Sequence, residues 1–383
     1  MGSRSGPDQP APHRSGFVTG GAYGLLFVLG VLEGLIGSFA YGTWSVGSFP
    51  AAAILLCLIL IATCVFGAWG MTSVAGALVP ALGWIVAYRS GRIHVGFPGQ
   101  IMIGGIFCSI VALKVGPLPL GVHLPLTILA GAVGGGLYAW LAAALWSRRG
   151  VNEILSTLLL NLLAAQILQW WVQGPFHDKS TPELQTLPFP SSSLYPSLLA
   201  NTDLHWDIVL VPIAVIVVAY MLARTVWGFR IRLSGANEQV TRHVGLSPKR
   251  IGTQAMIASG ALAGIAGASL VLAGQQAAMT SSFEGGFGFN GIAVALLARN
   301  SPWGVIPSAL LFGALDQGGQ TLPATVQISS QVVGIVQGLM IMLVLAATTV
   351  LYVRRARRTG GRTPKPKSAP APQMSGTEME AVG

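Results

Sequence analysis

The side chains best suited to chemistry in this chain are neutral amides and aromatics set in apolar surroundings. Gln100 leads into the apolar run 101–116, and Asn161 lies two turns inside the run 152–173. Phe287, Phe289 and Asn290 stand together in Gly-Phe-Gly-Phe-Asn-Gly, residues 286–291. An amide facing hydrocarbon costs on the order of one to several kcal/mol unless it is paired, so Gln100 and Asn161 must face other helices or a wet cavity. Aromatic faces beside amides suit reversible recognition by stacking and hydrogen bonding, although the same side chains also serve plain helix packing. Covalent chemistry is not indicated. The chain has no His-Glu-x-x-His, no Gly-x-Ser-x-Gly and no Gly-x-x-x-x-Gly-Lys-Ser/Thr loop, so it has no P-loop with which to hydrolyse ATP. Its six histidines are scattered. Its three cysteines, Cys57, Cys64 and Cys108, lie inside apolar runs without metal-ligand spacing and read as small core residues. No catalytic residue, metal or cofactor is expected. Glu33, Asp316 and Glu284 are the few candidate intramembrane acids, a sparse set for an ion-coupled carrier.

Two polar segments stand between apolar runs. Residues 228–252 are basic and include Gly235, Asn237, Glu238 and Gly245. The stretch 236–244 predicts a short helix stopped by Gly245 at its C′ position. A surface helix too polar to enter lipid could receive force from a separate motor protein, or could be an ordinary loop. At 150–161, Gly-Val-Asn-Glu-Ile-Leu-Ser-Thr-Leu-Leu-Leu-Asn, Asn152 can cap a helix whose first turn carries Glu153, where the helix dipole favours an acid.

The elements that position these residues follow from composition. Hydrophobic residues make up 52% and charged residues 9% of the 383 positions, and mean hydropathy is +0.65. A soluble domain carries about 25% charged residues. The apolar residues come in blocks long enough to cross a bilayer as helices, not in the short alternating segments of a β-barrel. The expected fold is all-α, a polytopic transmembrane helical bundle of about ten spans. Eleven blocks are present: 17–41, 51–70, 71–88, 101–116, 122–146, 152–173, 206–227, 251–274, 286–299, 302–320 and 330–353. Arg148, Arg149, Arg230, Arg232, the stretch 242–250 and the basic tail mark cytoplasmic loops. Parity with two cytoplasmic termini is restored if 71–88 and 101–116 form one interrupted crossing, broken at Arg89 to Gly99. Residues 1–16 and 354–383 predict disordered cytoplasmic ends around a membrane domain at 17–353. The first block reads as an uncleaved anchor, because it is too long for a signal-peptide core. Residues 286–299 and 302–320 flank a turn at 299–302, and neither piece spans comfortably alone. The segment 174–205 is one long, mildly acidic outward loop, either a solvated connector or a docking surface for a partner. The net charge of +10 fits basic cytoplasmic loops in a multi-pass plasma-membrane protein and indicates no nucleic-acid partner. Gly131-x-x-x-Gly135 and Gly260-x-x-x-Gly264 predict close helix contacts.

Three segments together resemble the permeases of bacterial ABC importers for nucleosides and simple sugars, over about residues 71–350. Gly288-Phe289-Asn290-Gly291-Ile292-Ala293-Val294-Ala295-Leu296-Leu297 is similar to that family's Gly-Phe-Asp-Gly-Ile-Ala-Val-Ala-Leu-Leu, with Asn290 in place of its Asp. Residues 150–161 resemble its Gly-Val-Asn-Glu segment. Residues 235–245 resemble its cytoplasmic coupling segment, with Val240-Thr241 in place of an Ala pair. The family's Asn-Ile-Gly-x-Glu-Gly-Gln stands here as His94 to Gln100. The resemblance implies a type II-like ABC permease for nucleosides, with a simple sugar as the alternative substrate. The implied partners are a separate ATP-binding ABC subunit, a second homologous permease and an extracytoplasmic substrate-binding lipoprotein. It also implies that Gly235, Asn237, Glu238 and Gly245 couple to the ATPase, and that Gln100, Asn161, Phe287, Phe289 and Asn290 line the pathway.

Overall fold

The structure, a computed structural model, describes residues 71–116, 118–174, 176–197, 205–273 and 277–313, and the separate positions 316, 335, 338 and 342. The expected ends, the blocks at 17–41 and 51–70, the block at 330–353 apart from positions 335, 338 and 342, and Glu33, Cys57 and Cys64 lie outside the described residues. Contacts divide the chain into the units Met1–Gly338 and Leu339–Gly383, and every element below belongs to the first.

Among the described residues nine α-helices follow one another: α1 Met71–Arg89, α2 Phe97–Lys114, α3 Leu120–Arg149, α4 Glu153–Gln173, α5 Leu210–Arg224, α6 Val226–Ala236, α7 Glu238–His243, α8 Pro248–Leu272 and α9 Phe287–Leu297. A 3-10 turn, Trp206–Val209, leads into α5, and a further helical stretch occupies 305–313. No β-strand occurs among the described residues, only three isolated antiparallel bridges. Among the described residues five helices are long and apolar enough to cross a membrane: α2, α3, α4, α8, and α5 with its leading turn. Apolar side chains such as Leu129, Leu137, Leu159, Leu162 and Tyr220 are exposed on α3, α4 and α5. That pattern suits helices solvated by lipid. The chain is a polytopic helical membrane protein.

Helix α8 is the central element and packs against α1, α2 and α3. Small residues on three helices permit this. A Cβ added at Gly135 would lie 2.7 Å from Gly264 Cα, and one at Gly131 would lie 2.8 Å from the Gly264 carbonyl and from Ala268 Cβ. The paired Gly-x-x-x-Gly motifs of α3 and α8 therefore face each other, so close that the backbones touch. In a bilayer, where lipid competes equally for apolar side chains, such contact is the main source of helix association. Cys108 is buried in α2, as expected of a small core residue.

The irregular segment between α1 and α2 falls where the sequence places it, at 90–96, but it reverses the chain. Along α8, Gly76 of α1 meets Leu270 and Gly83 meets Ser259. On the other side His94 meets Ser259, Gly267 meets Ile101, and Gly105 meets Val271. Helix α1 thus runs antiparallel to α8 and α2 parallel to it. The two are arms of a hairpin, not halves of one interrupted crossing. The physical reason is the turn itself: Ser90, Gly91 and Arg92 donate backbone hydrogen bonds back to Ala87 and Tyr88, and Gly91 takes φ +81°.

The long loop is more than a solvated connector. Phe189 and Tyr195 are buried, Tyr195 Oη lies 3.3 Å from Ser269 Oγ, and Ser192 Oγ lies 2.9 Å from His123 Nδ1. Thr186 N donates to Met279 O at 3.0 Å, and Phe189 N donates to Ala277 O at 2.7 Å. Asp178 accepts from Ser180 Oγ at 2.6 Å and from Ser180 N at 2.9 Å, and these donors hold its carboxyl below its ordinary range. The loop sits at the end where α8 finishes, opposite the end that carries α6, α7 and their arginines. Cysteine at Ser191 is therefore expected to react with an impermeant thiol reagent on intact cells, and cysteine at Gln239 only on inverted vesicles. Labelling of both from one side would refute this arrangement.

Candidate functional site

Asn152 Oδ1 accepts from Ile154 N at 2.9 Å, so α4 begins at the cap the sequence predicts. Two turns further, Asn161 reaches across to the start of α2. Its Oδ1 accepts from Gly99 N at 3.0 Å, and its Nδ2 donates to Val95 O at 2.8 Å. Thr157 Oγ1 accepts from Val95 N at 3.2 Å. Helix α4 thus satisfies backbone groups that a helix start leaves unpaired. Gln100 is buried in the first turn of α2 and its Oε1 has no hydrogen-bond partner. Buried His94 rests against Phe97, ring centroids 4.8 Å apart, with Nε2 3.1 Å from Ser259 Oγ.

Helix α9 starts directly against the start of α2. A Cβ at Gly288 would lie 2.5 Å from Pro98 N, and one at Gly291 would lie 2.7 Å from Pro80 Cβ in α1. Eleven residues of α9 span about 16 Å, roughly half a hydrocarbon core. This agrees with the expectation that 286–299 does not cross alone. Its entry is built from Gly285 and Gly286, both at positive φ. Its exit is a left-handed turn at Arg299 (φ 54°) and Asn300 (φ 55°). Trp84 Nε1 donates to Asn300 Oδ1 at 3.1 Å, and Arg89 Nη2 donates to Asn300 O at 3.0 Å, holding that turn. Phe287 is buried, Asn290 half-buried and Phe289 exposed at 51%. The N-termini of α2 and of the short α9 therefore meet. Gln100 and Asn161 flank this junction on the α4 side, and Phe287 to Asn290 on the α9 side.

Glu284 is a residue the sequence reading left unassigned. Its carboxylate accepts from Gly288 N at 2.8 Å and Gly286 N at 3.1 Å, so it caps α9. An acid just ahead of a Gly-Gly helix entry is the available sequence signal.

At the basic end, α7 forms as expected. Asn237 Oδ1 accepts from Gln239 N at 2.8 Å and Val240 N at 3.1 Å. Gly245 at φ +79° closes the helix, with Leu246 N donating to Thr241 O at 3.1 Å. The residues before α7, expected as loop, are helical up to Ala236 as α6, whose start Thr225 caps by accepting from Gly228 N. Gly235 abuts the α1–α2 turn, and a Cβ there would lie 2.9 Å from Arg89 C and 3.0 Å from Gly91 N. A groove of about 470 Å³ opens beside α7, lined by Arg242, Gly245, Leu246, Ser247, Pro248 and Lys249. Gly235, Asn237, Glu238 and Gly245 form this separate group, away from the α2–α9 junction. No cluster of potential metal ligands occurs among the described residues.

The chain is 29% identical over 272 residues to the guanosine ABC transporter permease protein NupP of Bacillus subtilis, covering 70% of this chain and 77% of that one. It is 29% identical over 249 residues to the nucleoside ABC transporter permease protein NupB of Lactococcus lactis, covering 63% and 68%. It is 28% identical over 293 residues to the glucose ABC transporter permease protein TsgB13 of Haloferax volcanii, covering 73% and 77%. No solved structure matches it. The model of the family described as branched-chain amino acid transport system / permease component matches residues 70–345, a stretch that contains all nine helices, the α2–α9 junction and α7. The chain belongs to that family of integral membrane permeases: a transport component, not an enzyme.

Proposed function

We propose that this chain is the transmembrane permease subunit of an ATP-driven ABC importer that takes up nucleosides. The observation that carries the substrate is the similarity to permeases of guanosine and of nucleosides from two organisms. Site chemistry supports it: a nucleoside presents a flat base and a hydroxylated sugar, and the α2–α9 junction offers phenyl rings and amides. The route runs past Gln100, Phe287, Phe289 and Asn290, with Asn161 fixing the α2 side. A second, similar permease faces this one. A separate ATPase docks on α7 and its groove, and an extracytoplasmic binding lipoprotein delivers substrate to the opposite end. ATP binding favours one arrangement of the permease pair and substrate delivery biases the other. The glucose permease relative supports a second reading, import of a simple sugar.

Reconstitution of the complete transporter in proteoliposomes, with labelled guanosine, adenosine, cytidine, glucose and ribose, separates the two. ATP-dependent uptake of nucleosides is expected, and uptake of sugars alone would replace this reading by the second. Stacking of a base on an aromatic side chain is worth about 1–3 kcal/mol. Phe289→Ala should therefore raise the apparent KM for nucleosides about tenfold while leaving protein level unchanged. Loss of one hydrogen bond in Asn290→Ala, about 1 kcal/mol, should raise it several-fold. Gly245→Val places a β-branched residue at a left-handed position and should reduce transport per ATP hydrolysed. Normal transport and normal substrate-stimulated hydrolysis in that variant would move the ATPase contact elsewhere.

A further inference from the structure

We propose that Arg92 is a positioning residue for transport, a clasp that conveys displacement of α7 to the junction of α2 and α9. This rests on the reading of α7 as the ATPase contact. Arg92 lies in the hairpin turn between α1 and α2, and its side chain is only 11% exposed. Three helices meet on its guanidinium. Nη2 donates to Glu238 Oε1 at the start of α7. Nη1 lies 3.9 Å from Glu153 Oε2 at the start of α4. The guanidinium stands 4.2 Å from the centroid of the Trp146 ring near the end of α3. Glu153 grips the same turn a second time, its Oε1 accepting from Ile93 N at 3.2 Å.

The geometry has two consequences. Residues 92–99 are tied to α4 at Ile93, Val95 and Gly99, so a pull on Arg92 acts on the start of α2 as one body. Gly288 of α9 sits against that start at Pro98. The clasp also has a second arrangement available. Glu153 Oε2 and Arg92 Nε are buried without a hydrogen-bond partner, while Glu238 has an alternative cation in Arg242, 3.6 Å away. If α7 moves off with Glu238 held by Arg242, the guanidinium can close on Glu153. A planar fork with five donors serves both carboxylates in turn, which a lysine ammonium does less well. An inert brace would have no use for an unmatched acceptor at this distance, because buried polar groups left unpaired cost stability.

The test is a double-mutant cycle on the complete transporter in proteoliposomes, reading labelled guanosine moved per ATP hydrolysed in the same vesicles. Arg92→Gln and Glu238→Gln are each expected to lower that ratio about tenfold, and the double variant to fall no further, as members of one interaction do. Arg92→Lys should give an intermediate value. A ratio within twofold of wild type in Arg92→Gln, or additive loss in the double variant, overturns the proposal. Should Arg92→Gln fail to assemble, Glu238→Gln decides alone: Glu238 is 43% exposed, and a normal ratio there overturns the clasp. If the uptake panel identifies a sugar in place of nucleosides, the substrate reading fails, and the same ratio measured with that sugar still decides the clasp.

Discussion

Gly264→Leu is expected to abolish assembly of the permease, the largest effect of any single substitution considered. The hydrogen that leucine replaces points into the backbone of α3, where an added Cβ would lie 2.9 Å from Gly131 C and 3.1 Å from Gly135 Cα. These are main-chain atoms of a helix and cannot rotate away. Overpacking of ordinary cores costs about 1–3 kcal/mol, and a backbone wall raises that, so α3 and α8 must separate. No apolar driving force restores the pair in lipid, since acyl chains solvate the parted faces as well as they solvate each other. Gly136→Ala is the matched control: its Cβ would meet Ile257 O at 3.5 Å and Ala261 Cβ at 3.6 Å, ordinary contacts. Detergent-extracted yield and thermal midpoint should collapse in Gly264→Leu and hold in Gly136→Ala. A wild-type midpoint for Gly264→Leu would show that the α3–α8 contact is not as close as described.

Asn161→Leu is expected to destabilise the α2 start and to depress uptake of every substrate together. The change keeps volume and removes both amide groups. Gly99 N loses its acceptor and Val95 O its donor, each worth about 1–3 kcal/mol when buried and unsatisfied. Because the amide is committed to backbone, the loss should be uniform across a nucleoside panel and track the thermal midpoint. Asn161→Asp, which keeps the acceptor for Gly99 N but loses the donor to Val95 O, should fall between. Unequal changes across nucleosides at an unchanged midpoint would instead put Asn161 in direct contact with substrate.

Local signals survived into the structure intact. Asn152 caps α4, Asn237 caps α7 and Gly245 stops it, because each depends on groups within a few residues. The facing glycine motifs were also legible, since three- and four-residue spacing puts small residues on one helix face. The turn at Arg299 to Pro302 was visible as a polar gap. The direction of α2 was not. A charged, glycine-rich gap between two apolar runs is compatible with a break inside one crossing or with a reversal between two. Only the packing of both arms on α8 distinguishes them.

The site shows the same division. Sequence by itself determined that this protein lives in a membrane, that it carries no P-loop or catalytic constellation of its own, and that Gln100 and Asn161 must find polar company. Those conclusions follow from transfer energies and short-range motifs, which need no knowledge of the fold. Tertiary structure alone decided what that company is. It gave the Asn161 amide to the backbone of Val95 and Gly99, set Gly288 against Pro98, made Glu284 the cap of α9, and drew Arg92 between Glu153 and Glu238. The residues of the clasp are separated by 61 and 146 positions in the chain. Pairings at that distance are fixed by which helices pack together, and here the packing is set by how closely glycine lets their backbones approach.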